Sequence, residues 1–126
     1  MMVTIGQVYL AKQVLDKLMT ASFTGKQAFT IARLAKAVEK EVALFEEQRQ
    51  NLVQRYADKD EAGKVITDAQ GMVHIADEQL PAVNAELNDL FGAEVELNAK
   101  PIKMDWLENI TITPGELQAI DPFVEE

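Results

Sequence analysis

Three groups of residues have the types and spacing that metal, phosphate or acid–base chemistry uses. Asp58, Asp60 and Gly63 stand at positions one, three and six of a calcium-binding loop, and Val65 supplies the apolar residue at eight. Position five is Ala62, however, and position twelve, where a bidentate glutamate closes the cage, is Ala69, so the oxygen set is incomplete. Thr24-Gly25-Lys26-Gln27 puts a glycine-lysine pair at a helix start, as a phosphate-binding loop does. Thr20 stands where the earlier glycine belongs and no predicted strand leads into it, so the segment reads as a helix cap. His74 is the only histidine and Ser22 the only serine, which leaves a serine-histidine triad almost nothing to draw on. Glu46 and Glu47 are adjacent, and on a helix adjacent acids point in different directions. No catalytic residue, cofactor or metal ligand is therefore assigned, and the chain is read as a non-enzyme.

What remains is the chemistry of association. Phe45, Arg49, Leu52, Tyr56 and Trp106 are the residues expected to form an interaction surface. The first four belong to one long predicted helix, about 24–57. Ile31, Val38, Phe45 and Leu52 recur every seven residues, and Ala35, Val42, Arg49 and Tyr56 form a second row four residues on. Burying the first row contributes about 6–12 kcal/mol, at about 1.5–3 kcal/mol per side chain. Thr24 and Gln27 have the form of a capping box, and the turn-favouring stretch Asp58 to Gly63 ends the run. At 1.5 Å per residue such a helix spans about 50 Å, longer than its neighbours can cover, so its Phe45 to Tyr56 end is expected to bind the rest of the chain or a second subunit.

A first helix is predicted from Thr4 to about Met19, with Thr4 and Gln7 as capping box, Val3 and Val8 as staple, and Val8, Ala11, Leu15 and Leu18 as buried face. With the short connection Thr20 to Phe23 it forms an antiparallel helical hairpin with the long helix. Lys64–Thr67 and Met72–Ile75 flank the turn Asp68-Ala69-Gln70-Gly71 as a small β-hairpin. A third helix is predicted at about 77–91, with Leu80, Val83, Leu87 and Leu90 as its face and Gly92 as its C-terminal cap. Alternation at Val95/Leu97, Ile102/Met104 and Ile110/Ile112 predicts short extended segments over 94–112. Thr113-Pro114-Gly115-Glu116 carries threonine, proline and glutamate in cap order and opens a short helix to Ile120. No internal repeat is expected. The fold class is α+β, mainly helical, in a single domain over residues 1–126.

With 126 residues the chain suits one hydrophobic core. It has no cysteine, so disulfides and thiolate sites are excluded. No basic and apolar leader and no apolar run near eighteen residues is present, so secretion and membrane insertion are not expected. The formal charge of −9 repels phosphate backbones, and the lysines and arginines are expected to be scattered over helix faces, which argues against nucleic acid as partner. The acidity also suits an inhibitor that presents carboxylates to a basic host defence or nucleic-acid enzyme, the alternative reading.

The order of features, from Ile31-Ala32-Arg33-Leu34-Ala35-Lys36-Ala37-Val38-Glu39-Lys40-Glu41 through Phe45-Glu46-Glu47-Gln48-Arg49 and Glu86-Leu87-Asn88-Asp89-Leu90 to Val95-Glu96-Leu97, Pro101-Ile102 and Leu117 to Phe123, resembles a family of small acidic proteins of uncharacterised function found in tailed bacteriophages and prophages of Gram-positive bacteria. The resemblance implies no catalytic residues. It implies a phage or prophage origin and a role in virion structure or as an assembly accessory. The expected partner is a protein, either a second copy in a homo-oligomer or a phage or host protein. The expected location is the bacterial host cytoplasm or the virion.

Overall fold

In the computed structural model, which describes residues 1–126, the backbone groups into two compact units. One comprises Met1–Ala43 with Gly92–Glu126, and the other Leu44–Phe91. The class is α+β and mainly helical, as the periodicities imply.

The first unit begins with β1 (Met2–Thr4) and α1 (Ile5–Leu18). Thr4 caps α1 with the expected box: its Oγ1 accepts from the Gln7 amide at 3.2 Å, and Gln7 Oε1 accepts from the Thr4 amide at 2.9 Å. After Met19 to Thr24 comes the first half of α2 (Gly25–Tyr56). Of the expected cap at Thr24 the glutamine half is present, Gln27 Oε1 accepting from the Thr24 amide at 3.4 Å. Val8, Ala11, Leu15 and Leu18 of α1 and Ile31, Leu34, Val38 and Val42 of α2 enter one apolar cluster, as helical spacing requires. The backbone running closest to α1 is nevertheless that of α4 (Pro114–Ile120), which lies between Thr113 and the tight turn Asp121–Phe123. The Lys17 ammonium ties the two together, donating to both carboxylate oxygens of Glu116 at 2.9 and 3.0 Å.

Two small pairings close this unit. β2 (Glu94–Glu96) runs antiparallel to β1, with Val3 opposite Val95, and β3 (Ile102–Lys103) runs parallel to β4 (Val124–Glu125). Between β3 and α4, Met104–Leu107 forms a helical turn. The predicted extended segment at Ile110 and Ile112 is not a strand: neither residue pairs with a strand, and both pack half-buried against the cluster as the chain approaches the α4 cap. Leu15, Leu18, Ile31, Leu34, Ile102, Ile120 and Phe123 are fully enclosed, each contributing about 1.5–3 kcal/mol of burial.

The second unit contains the rest of α2 and, as far as Phe91, α3 (Leu80–Gly92), preceded by the turn Asp77–Gln79. Pro81 lies in the first turn of α3, where its missing amide costs least. Phe45, Leu52, Ala57 and Val83 are buried. Leu80, expected on the buried face of the third helix, is exposed, and Leu87 and Leu90 are half-buried. Gly92 does not act as a left-handed cap: it is the last helical residue and only Gly63 and Gly71 have positive φ.

The stretch 58–75 forms the expected Asp68–Gly71 turn, with a bridge between Thr67 and Val73, and corrects the expectation that the chain has no repeat. Asp60-Glu61-Ala62-Gly63 and Asp68-Ala69-Gln70-Gly71 adopt the same turn. In each, the aspartate Oδ1 accepts two amides at 2.9 Å, from Ala62 and Lys64 in the first and Gln70 and Met72 in the second. The fourth residue is a glycine at φ 80° or 79°, a region that favours glycine. The segments flanking the turns close a ring of backbone hydrogen bonds: Asp58 donates to His74, His74 to Ile66, and Ile66 to Asp58, at 2.9, 2.9 and 2.8 Å.

Candidate interaction surface

Helical periodicity positions Phe45, Arg49, Leu52 and Tyr56 on the second unit, and the structure separates them by environment. Phe45 and Leu52 are buried, with the Phe45 ring 4.8 Å from that of Phe91. Arg49 interrupts the apolar row because its guanidinium turns to solvent and binds Glu46, its Nε donating at 3.1 Å. Tyr56 is half-buried, with the Arg55 guanidinium 5.6 Å from its ring centre; Arg55 also donates to Glu86 at 3.0 Å. Trp106 belongs to the other unit, where it packs half-buried against the apolar cluster. Of the five, Arg49 is the most exposed.

The exposed aromatic in a cationic setting is Phe29. Lys26, Phe29, Arg33, Lys36 and Lys40 follow i, i+3, i+4 spacing in the first half of α2, so they share one face, and all five are exposed. The cations are thus gathered rather than scattered as the sequence reading has them. Opposite this face lie Ile31, Leu34 and Val38, which are buried. Phe29 is 59% exposed, with the Arg33 guanidinium over its ring, 4.4 Å from the ring centre, a cation–π contact. None of the four cations is in an ion pair. Two adjoining hollows share Arg33 and Asn98, making a trough between α2 and the 97–100 segment. Phe29 and Lys100 line one end and Lys36, Lys40 and Ala43 the other.

The titratable groups are otherwise engaged in structure. Asp58 Oδ2 is 2.6 Å from His74 Nδ1, and Asp60 Oδ1 is held by backbone amides. Two carboxylates of the calcium-like spacing therefore already have partners within the chain. No group of three or more histidine, aspartate or glutamate side chains converges as metal ligands would. The hydrogen bond from Lys17, aided by the Thr113 amide, holds the Glu116 carboxyl below its ordinary range. Asp16 similarly raises the Lys12 ammonium. Both are surface ion pairs, and neither lines the hollows beside α2. No helix is long and apolar enough to cross a membrane.

No protein-family model matches the chain, and neither a curated protein nor a solved structure matches it. The aromatic and cationic stripe is the feature missed in sequence. Its signal is the run Lys26, Phe29, Arg33, Lys36, Lys40, legible once a phenylalanine is allowed on the polar side of an amphipathic helix.

Proposed function

We propose that this chain is a non-enzymatic protein of a phage or prophage that works by binding other proteins, as a virion component or an assembly accessory. The observation that carries the binding role is the cationic face of α2, free of ion pairs, with Phe29 laid open between Lys26 and Arg33. A large apolar ring exposed among long, charged side chains is the composition of a recognition site, where the ring anchors and the charges orient. The phage setting rests on the residue order described above, and the cationic face stands out on a chain whose net charge is −9.

The test is cofractionation. An epitope-tagged full chain, expressed in a Gram-positive host during phage production, is followed through a density gradient and captured from lysate. The expected result is tagged protein travelling with particles or assembly intermediates, and phage proteins among those captured. A chain that stays strictly monomeric and brings down no phage protein overturns the reading.

A further inference from the structure

Resting on the reading of this chain as an interaction protein, we infer that its partner at the α2 trough is a second copy of the chain, docked head to tail through an acidic, methionine-centred face of the same unit. The trough presents Arg33, Lys36, Lys40 and Lys100, with Phe29 at one end and the small side chains of Ala37, Ala43 and Ala99 along it. The complementary face lies at the β3–β4 edge. There Met104 is 40% exposed and shared by two adjoining hollows, one including Leu117 and Val124, the other Asp105, Glu108, Glu125 and Glu126 with Lys103 as its one cation. None of these four acids is in an ion pair.

The two faces are complementary in their majority charge: the cations beside Phe29 meet the carboxylates beside Met104, with Glu39 and Glu96 on the one side and Lys103 on the other as the exceptions. A thioether against the edge of an aromatic ring is a favourable contact, and the surrounding opposite charges set orientation and speed of encounter. The faces share no residue, so the contact is heterologous. Each added copy leaves one trough and one acidic face unused, the arrangement that builds rings or open filaments. A polyphosphate partner fits less well. The long-range repulsion of a net −9 acts on a second copy and on a polyanion alike, so local fit decides: Glu39 and Glu96 lie in the trough itself, Glu96 only partly offset by the terminal ammonium at 3.4 Å, and the Met104 face offers an apolar contact for Phe29 that a chain of phosphates lacks.

Sedimentation of the full chain tests this, using two variants that neutralise exposed side chains and leave both cores intact. One carries Arg33→Gln, Lys36→Gln and Lys40→Gln; the other carries Asp105→Asn, Glu108→Gln and Glu125→Gln. At low salt the wild type is expected to form species that grow with concentration and disperse at high salt. Each variant alone is expected to sediment as a monomer, with its helical circular dichroism unchanged. Mixed, they are expected to give a one-to-one dimer that grows no further, because only one live trough and one live acidic face remain. A wild type that stays monomeric at low salt, a mixture that stays monomeric, or a trough variant that still self-associates overturns the inference. So does single-stranded DNA bound by a monomeric wild type and lost in the trough variant. A monomeric wild type that still travels with phage particles removes this inference and leaves the proposed function standing.

Discussion

Phe91 lies against Phe45, ring centres 4.8 Å apart and planes tilted by 41°, and this contact converts an expected binding residue into a core residue. Tilted aromatic pairs contribute beyond the area they bury. Phe45→Ala is therefore expected to destabilise the protein by about 3–5 kcal/mol. Arg49→Ala, four residues along the same helix, removes only an exposed pair with Glu46 and is expected to cost no more than about 1 kcal/mol. Urea denaturation of the two variants checks the contrast.

The two sides of the first half of α2 should respond in opposite ways. Leu34 is fully buried, and Leu34→Ala is expected to cost about 2–5 kcal/mol. Phe29 is 59% exposed, and Phe29→Ala is expected to leave stability within about 0.5 kcal/mol of wild type. Thermal denaturation distinguishes them; a large loss at Phe29 would mean that the ring is structural.

The helices and their caps were legible because their signals are local. Thr4 with Gln7 and Thr113 with Glu116 act over three residues, and the repeating leucines and valines state which face turns inward. Alternation located the extended segments that become β2 and β3, but not β1, β4 or any pairing, because two or three residues carry little periodicity and their partners are remote: Met2 pairs with Glu96, and Ile102 with Val124. Ile110 and Ile112 alternate like a strand yet only lead into a cap, since alternation shows which side is buried and says nothing of a partner's availability. The interaction surface was misplaced at Phe45 and Leu52 for a related reason. Large apolar residues on a stripe are equally suited to a partner and to the core, and here Phe91 and its neighbours supply the core.

Glycines provide a test of opposite signs. Gly63 and Gly71 sit at φ 80° and 79° with open space where a Cβ would point, so alanine there meets backbone strain alone. Each Gly→Ala change is expected to cost about 1–2 kcal/mol locally, the penalty of a left-handed L-residue. Faster hydrogen exchange at the amides of Asp58, Ile66 and His74 is the readout, because these close the ring between the two turns. Gly92 is helical, has open space around it and avoids the left-handed region. Gly92→Ala is expected to stabilise by up to about 1 kcal/mol.

The link between α1 and α4 should weaken in acid. Lys17 holds the Glu116 carboxyl below its ordinary 4.5, so the folded state binds fewer protons there than the unfolded chain. The resulting stability is present above pH 4.5 and is lost as the pH falls through the lower, folded value. Glu116→Gln keeps the capping acceptor, as Gln7 does beside Thr4, but loses the ion pair. The stability gap between wild type and Glu116→Gln is thus expected to narrow below pH 4.5. Thr113→Ala, which removes the cap but leaves the ion pair, should cost about 1 kcal/mol and show a smaller acid dependence, because the Thr113 side chain is a lesser cause of the lowered Glu116 carboxyl than Lys17.

Everything described for α2 depends on its being one helix from Gly25 to Tyr56, with Val38 and Val42 serving the first unit's core, Phe45 and Leu52 the second's, and the cationic stripe on the outer side. Residue-resolved hydrogen exchange through Val38 to Gln50 measures this directly. Continuous slow exchange across Ala43 and Leu44 is the predicted result. Amides there that exchange as fast as those of the exposed turn at Glu61 and Ala62 would contradict it.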